Sequence, residues 1–88
     1  MTSMLERPVD QENVRPALSA REVEILREWL MSDSKSEVAT RLFLAPATVS
    51  THIARIRDKY ALVGRVAPSK AMLLARALQD RLIDIDEL

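Results

Sequence analysis

With 88 residues, 48% of them apolar, the chain has material for one small domain with a modest core. It has no cysteine, which excludes disulfides and thiolate zinc sites, and its one histidine, His52, cannot build a metal centre alone. Thirteen basic and thirteen acidic residues cancel, but residues 34–70 carry net +5, against −3 over 1–33 and −2 over 71–88. The neutral total therefore hides a basic centre suited to a phosphate surface. No apolar run approaches the roughly 20 residues that span a bilayer. The N-terminus also lacks the apolar core of a signal peptide, so a cytoplasmic protein without a membrane partner is expected.

Residues 1–17 show no steady period, and Pro8 and Pro16 would interrupt a helix. They read as a flexible arm, a linker remnant or a short segment packed on the first helix. That helix is announced by Ser19-x-x-Glu22, a capping box, with Leu18 placed to staple against Val23. Val23, Leu26 and Leu30, continued by Met31, mark its expected buried face, flanked by Ile25 and Trp29. Trp29 suits core packing better than ligand stacking.

A second box, Ser34-x-x-Glu37, opens a short helix whose expected buried side is Val38, Ala39, Leu42 and Phe43. Leu44-Ala45-Pro46 then turns into a longer helix. There Val49, Ile53, Ile56 and Tyr60 recur at four, three and four residues, one stripe of an amphipathic helix. Pro46 is compatible with its first turn. A short helix, a tight turn and a longer amphipathic helix make a helix-turn-helix pattern. Gly64, the only glycine, is expected to take a positive φ where the chain turns.

A fourth helix is expected from about Ala67–Ser69, with the face Ala71, Leu74, Ala75, Leu78 and Leu82, widened by Leu73 and Ala77. Residues 84–88 form an acidic tail. The fold class is all-α, a four-helix bundle containing a helix-turn-helix. The shared core of its first three helices is expected to be Val23, Leu26, Leu30, Val38, Leu42, Val49, Ile53 and Ile56.

Three motifs carry a family resemblance. Leu18-Ser19-x-Arg21-Glu22-x-Glu24-x-Leu26 resembles the L-T/S-x-R-E-x-E-V-L opening of LuxR-type helix-turn-helix domains. Ser34-x-Ser36-Glu37-Val38-Ala39-x-x-Leu42-Phe43-Leu44 is similar to their S-N-K-E-I-A-x-x-L-F/Y-I. Ala45-Pro46-Ala47-Thr48-Val49-Ser50-Thr51-His52-Ile53 resembles S-x-x-T-V-K-T-H-V/L. The resemblance covers Leu18 to Ala77 and places the domain at 18–83. It implies sequence-specific binding of double-stranded DNA for transcriptional regulation, with the third helix in the major groove. The alternative is a small helical protein-interaction domain.

The resemblance implies a homodimer through the fourth helix (Ala71, Leu74, Ala75 and Leu78), and in many relatives an N-terminal receiver or ligand-binding domain. The competing use of that stripe is closure of the monomer's own core. Both uses coexist if Leu74 and Leu78 turn inward and Lys70 or Met72 makes the contact. Thr48, Thr51 and His52 match family positions. The family's lysines are absent at Ala47 and Ser50, and Ala45 replaces its serine cap. Ala47, Ser50 and Thr51 form the expected base-reading set, because they lie away from the apolar stripe; Ala47 suits a thymine methyl and Ser50 either base type. Expected DNA-backbone contacts are Lys35, Arg41, Thr48, His52, Arg55, Arg57, Lys59 and Arg65. His52 has three readings: an edge histidine with its bonds satisfied, a backbone contact, or a proton-sensitive DNA contact. Arg55 has a second reading, pairing with a nearby carboxylate. No nucleophile–base pair, P-loop or dinucleotide fingerprint is present, so neither catalysis nor a cofactor is expected.

Overall fold

The computed structural model describes residues 14–88, and the chain through residue 13, most of the expected arm, lies outside the described residues. Four helices follow in order: α1 (Ala20–Leu30), α2 (Lys35–Leu42), α3 (Pro46–Leu62) and α4 (Lys70–Gln79), then a 3₁₀ turn at Ile85–Glu87. No strand occurs among the described residues, which form an all-α four-helix arrangement. None of these helices is long and apolar enough to cross a membrane.

The helix starts follow from local chemistry. Ser19 Oγ accepts from the Glu22 N–H at 3.0 Å and the Ser19 N–H donates to Glu22 Oε1 at 2.8 Å, completing the first box. The second box is half formed. Ser34 Oγ accepts from the Glu37 N–H at 3.2 Å, but the Glu37 carboxylate turns to the Asp33 N–H at 3.4 Å. Ser69 caps α4 by accepting from the Met72 N–H. Ala45 offers α3 no side-chain cap, and Pro46 opens that helix, where one N–H would be orphaned anyway.

Three of the four helices end alike. Phe43, Gly64 and Arg81 have φ of 56°, 76° and 60°. In each case the next N–H reaches back five residues: Leu44 to Ala39 O, Arg65 to Tyr60 O and Leu82 to Ala77 O, each at 2.9 Å. These are Schellman closures, which satisfy carbonyls that a helix end leaves free. Gly64 takes its positive φ as expected. Phe43 does so at the helix-turn-helix corner, and the turn throws its ring into solvent, 94% exposed. The expected burial of Phe43 on the α2 core face is therefore incorrect.

The core joins Ile25 and Leu26 of α1, Val38 of α2, Val49, Ile53, Ile56 and Tyr60 of α3, and Leu73 and Ala77 of α4. The α3 stripe is buried in full. α1 is rotated from its expected setting: Ile25 and Trp29 join Leu26 and Leu30 inside, Val23 is half-buried, and Met31 is exposed. Leu42 is also half-buried, against the expectation of full burial. In α4 the supposed margin, Leu73 and Ala77, faces inward; Leu74, Ala75 and Leu78 are half-buried and Ala71 is exposed.

Candidate nucleic-acid interface

α3 positions the site. Its buried stripe turns the opposite face outward, and Ala47, Thr51, Ala54, Arg55 and Asp58 are exposed there. The N-terminal half of this face carries small side chains, which leaves room for an approaching surface. The Thr51 hydroxyl donates to Ala47 O at 3.0 Å, a bond within the helix that leaves its oxygen free to accept. Ser50 and Thr48 are half-buried at the two edges of this face. His52 is half-buried beside Thr48, and its buried Nδ1 has no partner among the described residues.

The expected phosphate-contacting cations divide into two groups. Three are held by acids. Arg65 is 4% exposed. Its Nη2 lies 2.9 Å from Asp80 Oδ1, its Nη1 donates to Asp80 Oδ2 at 3.1 Å, and a further bond runs to Val14 O at 2.8 Å. A guanidinium so enclosed cannot reach a phosphate while the domain stays folded, so its assignment to the DNA backbone is corrected to a structural role. Lys59 donates to Glu22 Oε1 at 2.7 Å and to Ala17 O at 3.0 Å, which binds the segment before α1 to the far end of α3. Its ammonium is largely committed, against expectation. Arg41 meets Glu28 at 3.2 Å but stays exposed.

Burial pushes Glu22 up, but hydrogen bonds from Lys59 and the Ser19 N–H, with the charge of Lys59, outweigh it and hold the carboxyl below its usual range. Burial, together with the bond to Asp80 Oδ2 at 2.8 Å, drives the Tyr60 hydroxyl well above the ordinary phenol range.

Lys35, Arg55 and Arg57 form no ion pair among the described residues. Arg55 thus lacks the carboxylate its second reading supposed. Lys35 and Arg57 converge on Trp29, their charges 6.0 and 5.6 Å from the ring centre. A cation missing from the expected set, Lys70, joins them at 5.1 Å. The sequence signal for Lys70 was only its place at the edge of the basic stretch.

The arrangement is a helix-turn-helix: α3 packs on both α1 and α2 and presents a small-residue face bordered by cations without an ion pair among the described residues. The chain matches the family model "Bacterial regulatory proteins, luxR family" over residues 16–67, and it belongs to that family. Two curated relatives are each described as "Probable transcriptional regulatory protein NarL", from Mycobacterium tuberculosis strains CDC 1551 / Oshkosh and ATCC 25618 / H37Rv. Each is 38% identical over 71 residues, covering 81% of this chain and 31% of the relative. The chain thus spans less than a third of the length of those relatives. No solved structure matches it. As a member of this family, the domain is a sequence-specific DNA-binding module of transcriptional regulation.

Proposed function

We propose that α3 enters the major groove of double-stranded DNA, with Ala47, Ser50 and Thr51 toward base edges. The observation that carries this reading is the face itself: small side chains over the first two turns of α3, opposite a fully buried stripe. Thr48, His52 and Arg55 lie where the backbone of the duplex would pass on one side. Arg57 and Lys35 lie on the other, and Arg41 stands exposed on α2. Ser50→Lys tests the assignment, because it places a long cationic donor at the groove. Binding-site selection with both proteins is expected to recover different preferred motifs, since a good base contact is worth about 1–3 kcal/mol of discrimination. The same motif in the same rank order from both would remove Ser50 from the reading set.

The working unit on DNA is a pair of copies joined through α4. Support comes from the inward turn of Leu73 and Ala77, which leaves the neighbouring stripe of Ala71, Leu74, Ala75 and Leu78 partly open. In a whole regulator, a receiver or sensor domain precedes this one; the small share of the relatives' length that the chain covers supports that reading.

A further inference from the structure

Trp29 is the only tryptophan of the chain, 6% exposed, and three cations from three different elements gather around its ring. Lys35 comes from the first turn of α2, Arg57 from α3 and Lys70 from the first turn of α4. No carboxylate pairs with any of the three among the described residues. Five cations elsewhere, Arg21, Arg27, Arg41, Lys59 and Arg65, have acidic partners, while Arg55, Arg76 and Arg81 have no ion pair among the described residues and do not share a ring. Like charges brought together repel, and a ring quadrupole offsets only part of that cost. Lys70 donates to Ser32 O at 2.6 Å, which fixes the amine and leaves two of its three donors free. Arg57 is half-buried, and its buried Nε has no partner among the described residues.

From this convergence we infer that Lys35, Arg57 and Lys70 form a phosphate cradle that grips the DNA backbone beside the groove, with Trp29 as the flat platform that orients them. The inference rests on the DNA-binding reading and adds to it a backbone contact from the start of α4 and a positioning role for Trp29. Arg57 lies seven residues beyond Ser50, on the same flank of α3. A backbone strand passing the Ser50 edge of the groove is therefore on course for the cradle.

The test is titration of a labelled duplex at several salt concentrations with wild type, Lys35→Ala, Arg57→Gln, Lys70→Ala and, as a control outside the cradle, Arg21→Ala. Each cradle variant is expected to weaken binding similarly for every duplex sequence and to lower the salt slope by roughly one. Arg21→Ala should match wild type. Trp29→Phe keeps an apolar ring but offers the cations a weaker face, and it should weaken duplex binding while the unfolding midpoint shows that the domain is folded. In wild type, Trp29 emission should change when duplex is added. Cradle variants that keep wild-type affinity and slope, from a wild type that binds DNA with clear salt dependence, would overturn the cradle and leave the DNA reading intact. If millimolar inorganic phosphate alone shifts Trp29 emission while the slopes stay equal, the site takes a free anion and the inference also fails. A wild type that binds no duplex would sink both readings together.

Discussion

At the residue scale, the most consequential group is the buried set of Tyr60, Arg65 and Asp80. Asp80 is 2% exposed and takes both the Tyr60 hydroxyl and the Arg65 guanidinium, yet its Oδ1 and the Arg65 Nε have no hydrogen bond among the described residues. Taking both charges out of water offsets much of their attraction, but removing one strands the other. Asp80→Ala is therefore expected to destabilise the domain by about 3–5 kcal/mol, read as a fall in urea midpoint. A midpoint within a few tenths molar of wild type would show that the pair is not buried as described. Tyr60 sets an alkaline limit. Its folded-state pKa is raised, so its contribution is whole below the unfolded phenol value of about 10 and is lost as pH rises toward the folded value. Tyr60→Phe should flatten the decline above about pH 10. Glu22 acts in the opposite sense. Its folded pKa is lowered, so its contribution is present above the ordinary carboxylate range and is lost as pH falls through the folded value. Acid titration of Glu22→Gln should show a shallower loss than wild type; parallel curves would remove Glu22 from the acid limit.

At the scale of elements, the three Schellman ends make a paired prediction. Phe43 holds a left-handed conformation with its ring in water, so Phe43→Gly loses little burial and relieves strain. It should stabilise the domain by about 1 kcal/mol. Gly64→Ala has open space around the added methyl but the wrong backbone preference, and should cost about the same. Thermal melts moving in the same direction for both variants would contradict this account. Within α3, Ile53→Ala should cost about 2–5 kcal/mol, since Ile53 is buried beside Ile56 and Val49. The sequence made α3 legible because its apolar residues form one stripe. α1 and α4 each carry two adjacent stripes, and only packing against α3 and the Asp80 corner decides which one turns inward. Phe43 was misread because hydrophobicity says nothing of a left-handed cap that points a ring outward.

At the scale of the whole molecule, the order and starts of the described helices were readable from capping serines and prolines. The roles of the basic residues were not. Lys59 meets Glu22 and Arg65 meets Asp80 across long sequence separations, and no local spacing announces such pairs. The +5 of the central stretch consequently overstates the charge available to DNA. Oligomeric state is tested at the same scale. Gel-shift titration on an inverted repeat should give cooperative two-to-one complexes that revert to independent binding in Leu78→Asp with helicity intact. One-to-one complexes on the repeat at saturating protein would exclude the dimer.

The contacts of Arg65 with Val14 O and of Lys59 with Ala17 O have a mechanical consequence. The backbone before α1 is held at two points, and both anchors belong to the far end of α3 or the loop that leaves it. A pull along the chain ahead of Val14 is therefore delivered to α3 at its C-terminal end, and not to α1 alone. Releasing the first anchor strips an acceptor from an enclosed guanidinium, so the segment resists peeling and transmits load like a short tether.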